Sequence, residues 1–175
     1  MNRHGIRTGS IVVAYQGDVL AVGEMSRKIS EPAKVASLSK AITAVCALHA
    51  LDKKGMRFSA PMRDVLPELL AKYPPKDKRF ADITVAQRIN QSSGITTRYH
   101  RKIEVLRTFK KENKAWQLSK IVQEPLDGTP GSTSFHYSNA NFLTLGLVIE
   151  ALSGEDYETY CTREVLVPSG VKNAK

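Results

Sequence analysis

Between Ser37 and Lys54 the chain reads SLSKAITAVCALHALDKK, and from Ala41 to Leu51 only Thr43 and His49 interrupt an apolar run. Ala, Leu and Ile dominate, so the local preference is helical. Lys53 and Lys54 fill the last turn, and Gly55 suits the position just past the end. A helix that is apolar on nearly every face has no side to offer water. It predicts a segment buried in the middle of a domain, with the other elements wrapped around it.

Those other elements can be read in order. Residues 9–16 (GSIVVAYQ) and 18–23 (DVLAVG) flank the turn Gln16-Gly17-Asp18 and predict a β-hairpin. Pro61 to Leu70 predicts a short helix, stopped by Tyr73-Pro74-Pro75. Thr84 is a good N-cap for a helix over 85–91, and Ser92-Ser93-Gly94 is a turn. Residues 98–124 read as a polar helix and 127–134 (DGTPGSTS) as a loop. A second apolar helix is expected over 140–152, closed by Ser153-Gly154, and a last one over 156–166 before Pro168. Two strands followed mostly by helices indicate an α+β architecture. Two strands alone make a marginal sheet. Either further strands come from sequence outside this chain, or the hairpin leans on the helices.

At 175 residues, 42% hydrophobic and 25% charged, the chain suits one domain with its own core and excludes a disordered segment. No apolar run reaches the length of a membrane-spanning helix. The opening MNRHGIRTGS lacks the apolar stretch of a secretion signal, which leaves the compartment open. The net charge of +9, from 26 Lys and Arg against 17 Asp and Glu, favours anionic partners: nucleic acid, anionic lipid or a carboxylate substrate. The densest basic stretch, Arg98 to Lys114, has few interleaved aromatics (Tyr99, Phe109, Trp116). It carries no nucleic-acid motif and reads as a solvated helical face. Cys46 and Cys161 have no metal spacing; Cys46 reads as a small core hydrophobe, and spacing alone does not decide a disulfide. No two histidines stand at metal spacing with a carboxylate. His49 reads as a satisfied histidine of the apolar helix and His136 as a packing neighbour of Tyr137, while His4 and His100 show no partner pattern.

Two short motifs carry chemistry. In Ser37-Leu38-Ser39-Lys40, serine and lysine at i and i+3 share one helical face. At the start of a helix the serine N–H lies at the positive end of the dipole and can donate to a developing oxyanion. A nearby ammonium favours the alkoxide, and a desolvated lysine can itself take the proton. A second S-x-x-K, Ser169 to Lys172, follows Pro168 in what reads as a loop. Tyr137-Ser138-Asn139, the sole Y-x-N, lies between the 127–134 loop and the second apolar helix. A tyrosine beside an ammonium is shifted toward phenolate and can shuttle a proton. Each motif alone also has an ordinary reading: Ser37 as an N-cap with Lys40 on the surface, Tyr137 packing at a helix start capped by Asn139.

Taken together and in order, five segments resemble the serine β-lactamase-like and penicillin-binding-protein family, in its branch of class C β-lactamases, DD-peptidases and esterases. GSIVVAYQGDVLAVGE is similar to that family's opening hairpin, and VASLSKAITAVCALHALDKKG to its nucleophile helix. ITVAQRINQSSGI is similar to a segment that usually reads close to ITVRDLLTHTSGL, with Gln91 here where histidine is usual, a change expected to be minor. PGSTSFHYSNANFLTLGLVIEALSG is similar to the stretch carrying the Y-x-N, and VLVPSGVKN to the region beyond it. The resemblance implies a β-lactamase/transpeptidase-like fold, a helical subdomain against an antiparallel sheet of which this chain carries only the N-terminal hairpin. Residues 1–175 are then the N-terminal part of one domain: 9–54 hairpin and nucleophile helix, 60–135 helical subdomain, 136–175 the Y-x-N segment and later helices.

By the same resemblance Ser37 is the acylated nucleophile, Lys40 its proton partner, Tyr137 the general base and acid, and Asn139 a substrate-orienting amide. The implied reaction is acyl transfer through an acyl-enzyme, with no metal or organic cofactor. The implied partner is a small-molecule or peptide substrate with an acyl group, carboxylate-bearing where the basic surface takes part, and neither nucleic acid nor a membrane span. The family's third motif, K-T-G or H-x-G on a later strand, is absent up to Lys175. The chain is therefore expected to be one piece of a larger enzyme, its complement following in sequence or lying on a second chain. A binding protein on the same scaffold, and a basic binder of nucleic acid or an anionic surface, are the competing classes.

Overall fold

A computed structural model describes Gly5 and residues 7–95, 121–122, 126, 128–131 and 134–171. The expected polar helix over 98–124, apart from Ile121 and Val122, lies outside the described residues, as do the basic stretch, His4, His100 and Lys172. The chain divides into two compact units, one ending at Ala36 and one beginning at Ser37.

The first unit carries the expected hairpin. Strands β1 (Gly9–Tyr15) and β2 (Asp18–Met25) pair antiparallel. Gln16 and Gly17 both have positive φ, 49° and 93°, the arrangement that matches a tight turn to the twist of its strands. The ladder runs to Gly9 opposite Met25, so β2 continues past the expected end. A bulge at Val13/Ala14 shifts the register. Ile11 and Val12 point to opposite faces and are both exposed.

The second unit is helical. A 3-10 turn over Ala36–Leu38 leads into α1 (Ser39–Lys53). The α-helix thus begins two residues later than its sequence suggests, and Ser37 occupies the tighter turn ahead of it. The expectation that this helix is buried all round is also corrected. Thr43, Cys46, Ala47, Ala50 and Leu51 form its buried face, whereas Val45 and Leu48 are 51% and 41% exposed. The buried set follows the i, i+3, i+4 rhythm of one helical face; apolar composition does not reveal which face a neighbour covers.

The helix expected over 61–70 is two: α2 (Met62–Val65) and α3 (Pro67–Lys72). Leu66 leaves helical geometry (φ −132°, ψ 43°) because the ring of Pro67 crowds the residue before it. Helix α4 (Val85–Ile89) starts where Thr84 predicts. The Thr84 hydroxyl accepts from the Gln87 N–H at 3.2 Å, and the Gln87 carboxamide accepts from the Thr84 N–H at 2.9 Å. It ends before the expected boundary, since Gln91 turns left-handed at φ 64°. Helix α5 (Asn139–Ser153) closes on Gly154 at φ 74°, and α6 (Tyr157–Cys161) runs on as a π-helical turn, Thr162–Leu166.

Helix α1 packs against α5 and α6. Small residues on α1 let it approach Ala140, Leu145, Val148 and Ile149 of α5. Leu51, Leu145 and Ile149 are at most 1% exposed, each burial being worth about 1.5–3 kcal/mol. Cys46 is not a lone core hydrophobe. It is disulfide-bonded to Cys161, with Cα atoms 5.5 Å apart and both residues buried, which ties α1 to the end of α6. Tertiary packing alone brings together cysteines 115 residues apart.

Candidate active site

Ser37, Lys40 and Tyr137 converge at the start of α1. One helical turn separates Ser37 from Lys40, whose Nζ donates to the Ser37 Oγ at 3.2 Å. The Tyr137 hydroxyl lies 2.7 Å from the same Oγ. The Lys40 ammonium stands 4.9 Å from the centre of the Tyr137 ring and 5.7 Å from that of Phe142. These cation–π contacts are worth about 0.5–2 kcal/mol each, depending on desolvation. Ser37 is exposed and Tyr137 is 37% exposed, so a ligand could reach both.

Electrostatics follow from this proximity. Hydrogen bonding to Lys40 is the largest influence on Tyr137 and holds its phenol below the usual tyrosine range; the Ser37 hydroxyl adds to the effect and burial opposes it. The cluster can therefore hold a tyrosine nearer to phenolate beside a serine hydroxyl and an ammonium. Ala36, which precedes Ser37, has φ 47°, an uncommon conformation for a residue with a side chain and a frequent one near functional groups.

Tyr137 belongs to neither helix nor strand; it lies in the irregular stretch before α5, next to the N-cap Ser138. Two peptide N–H groups flanking it both donate to Gln91. The His136 N–H reaches the Gln91 carbonyl and the Ser138 N–H its side-chain Oε1, each at 2.9 Å. Further upstream the Gly131 N–H donates to the Ser92 carbonyl at 3.0 Å and the Gly128 N–H to Gly94 at 3.2 Å. Gly94 has φ 77°, and a Cβ there would stand 2.7 Å from the Gly128 carbonyl oxygen, so the close approach of the two loops requires glycine.

Behind this contact lies a buried polar network that sequence reasoning missed. Asn141 donates to the Gln91 Oε1 at 2.8 Å, and its own Oδ1 accepts from the Ser93 hydroxyl at 2.7 Å and from Arg88 at 3.2 Å. Arg88 is fully buried, its guanidinium 4.4 Å from the centre of the Phe80 ring. A polar Asn141 inside a largely apolar helix was the available signal. The expected minor status of Gln91 does not fit its place in this network. Asn139 opens α5, half-buried, two residues beyond Tyr137. His136 meets the network through its backbone. His49, at the far end of α1, lies 2.9 Å from the Tyr160 hydroxyl and 3.7 Å from Glu164. Ser169 lies in the turn after the π-helical segment, apart from the cluster in sequence and paired through its N–H with the Val165 carbonyl. Among the described residues no group of His, Cys, Asp and Glu could hold a metal.

The family profile named Beta-lactamase matches residues 1–175. A Dichelobacter nodosus protein named for fimbrial assembly (FimD, serogroup D) is 28% identical over 140 residues, covering 78% of this chain and 33% of its own length. The D-stereospecific amidohydrolase from a Streptomyces species is 26% identical with a TM-score of 0.61, over 78% of this chain and 42% of the other. The octameric penicillin-binding protein homologue from Pyrococcus abyssi is similar in fold, with 21% identity, a TM-score of 0.73 and coverage of 97% and 40%. The chain thus spans about a third of the curated relative and less than half of either solved structure.

Proposed function

The chain belongs to the beta-lactamase family, and from that premise we propose that it carries the acylation machinery of a serine hydrolase acting on an amide, lactam or ester. One observation carries the reading: a single hydroxyl, Ser37 Oγ, lies 2.7 Å from the Tyr137 phenol and 3.2 Å from the Lys40 ammonium. Likeness to the Streptomyces amidohydrolase, a hydrolase by name, supports the same class of reaction.

In this mechanism the Tyr137 phenolate takes the Ser37 proton as Oγ attacks the substrate carbonyl carbon. The carbonyl π pair moves to oxygen. The Ser37 N–H, near the positive end of α1, is placed to donate to that oxyanion. On collapse the bond to the leaving group breaks, and Tyr137 returns the proton to the leaving atom. Water then attacks the ester carbonyl on Ser37, giving its proton to Tyr137; on collapse the bond to Ser37 Oγ breaks, Oγ takes that proton back from Tyr137, and the carboxylic acid is released. Lys40 remains an ammonium throughout, stabilising the phenolate. Asn139 orients the substrate.

Intact mass of the full-length protein after exposure to a fluorophosphonate, and separately to a penicillin, tests this with Ser37→Ala as control. One adduct that disappears in the variant is expected. Folded protein that binds penicillin without any adduct would replace this reading with a binding protein on the same scaffold.

A further inference from the structure

Tyr137 lies outside the helices and strands, in the stretch that leads into α5, whose N-cap Ser138 is extended at φ −146° and ψ 125°. We propose that Gln91 is the positioning residue that holds Tyr137 against Ser37 and Lys40, by gripping the peptide groups on both of its sides.

Three observations carry this. First, the grip is two-handed: the main-chain carbonyl of Gln91 takes the His136 N–H and its side-chain oxygen takes the Ser138 N–H, each at 2.9 Å. Tyr137 is the residue between. Second, the side chain has one orientation. A peptide N–H is only a donor, so Gln91 must present Oε1 to Ser138. The same oxygen faces Asn141, which must therefore present its amino group, at 2.8 Å. That leaves the Asn141 carbonyl oxygen for Arg88 and Ser93, both donors to it. The buried Arg88 thus selects the Asn141 orientation, which selects that of Gln91, and every link carries a hydrogen. Third, Gln91 holds φ 64° while only 5% exposed. A non-glycine residue adopts this conformation when its surroundings over-determine it. Local turn geometry alone would favour glycine here.

The inference rests on the proposed acyl-transfer reading for its consequence, though not for its geometry. Displacement of a reacting group by about 1 Å can cost up to about 100-fold in rate. A tyrosine moved off Lys40 also loses the hydrogen bond that holds its phenol low. A purely structural role would lower the melting temperature and leave the Tyr137 titration where it is.

The test uses the full-length protein with tyrosine labelled with ¹³C at the ζ carbon. Tyr137 is identified by loss of its signal in Tyr137→Phe, and its titration is followed by NMR beside the rate of Ser37 labelling by a fluorophosphonate. Gln91→Gly removes the side-chain acceptor yet suits the left-handed backbone, so the fold is expected to survive. Gln91→Met replaces it if thermal melting shows the glycine variant unfolded at the assay temperature. Gln91→Glu keeps the acceptor. The expected result is a Tyr137 titration moved up toward the ordinary value of about 10 in Gln91→Gly, with labelling slowed roughly 10- to 100-fold and Gln91→Glu closer to wild type in both. A folded Gln91→Gly with unchanged titration and rate overturns the proposal, as does equal impairment of Gln91→Gly and Gln91→Glu. Wild-type protein that shows the Gln91-dependent titration but no Ser37 adduct refutes the acyl-transfer reading and leaves the positioning role standing.

Discussion

The Tyr137 phenol stands 2.7 Å from the Ser37 hydroxyl, although 100 residues separate them in sequence. Ser37 comes from the turn ahead of α1 and Tyr137 from the stretch ahead of α5, so the packing of these two helices brings the pair together. With Lys40 on the same turn, the serine hydroxyl lies within hydrogen-bonding distance of both a phenol and an ammonium.

Removing the acceptor should therefore be costly. Tyr137→Phe keeps the ring over Lys40 and loses only the hydroxyl. Acylation of Ser37 is expected to slow by about 10²–10⁴-fold, the usual worth of general acid–base help, with little change in melting temperature. Stopped-flow labelling beside a thermal melt measures both; a loss under threefold would remove Tyr137 from the chemistry.

The pH dependence has a definite sign. In the proposed mechanism the working form of Tyr137 is the phenolate, so the rate should rise with pH through a value below the ordinary tyrosine range, because Lys40 holds it down. Lys40→Met deletes the largest influence. The acidic limb should move to higher pH, and the rate at pH 7 should fall about tenfold for each unit of movement. A limb that stays in place in Lys40→Met would assign it to another group.

The Cys46–Cys161 bond closes a loop of 115 positions between two core helices. Its loss in the Cys46→Ala/Cys161→Ala double variant is expected to lower stability by about 2–4 kcal/mol. Denaturant unfolding of the two proteins, with thiol titration of the unfolded wild type under non-reducing conditions, checks this. Free thiols in the wild type would show that the bond does not form.

Asn141→Ala should be more damaging than its size suggests. It strips Arg88 of a carbonyl acceptor in a fully buried position and removes a donor to Gln91. Depriving a buried donor of an acceptor costs about 1–3 kcal/mol, and more when the donor is charged. Chemical denaturation should place this variant well below an exposed control such as Val45→Ala.

Asp77 gives an acid-sensitive anchor. Hydrogen bonds from Arg79, and one from the Leu126 N–H, hold its carboxyl at about 2, below the ordinary 3.8. The folded state thus favours the carboxylate. Its contribution is complete above pH 3.8 and disappears as pH falls through about 2. At neutral pH Asp77→Asn should cost about 1–2 kcal/mol, and near pH 2 the two proteins should unfold alike. A difference that persists at pH 2 would point to packing.

Local signals set out much of this fold. The Gln16-Gly17 turn placed the hairpin, Thr84 placed the start of α4, and Gly154 placed the end of α5, because capping and turn chemistry act within a few residues. Pro67 broke the helix expected over 61–70, a rule also written in the sequence. For the site, the Ser37–Lys40 pair was legible because one helical turn is fixed by spacing. Tyr137 was legible through its neighbours and its resemblance to a family pattern.

What the chain's own order could not express was partnership across long separations. Which face of α1 is covered, which cysteine meets Cys46, and what holds Tyr137 in place are answered by residues 45 to 115 positions away. Local propensity acts over one or two turns, whereas a buried hydrogen bond such as Ser138 to Gln91 exists only after packing has excluded water and left those groups no other partner. Local rules carried in neighbouring residues set most helix starts, the turns and the serine–lysine pair; packing across the chain set a tyrosine, clamped through Gln91 by a buried arginine network, against them.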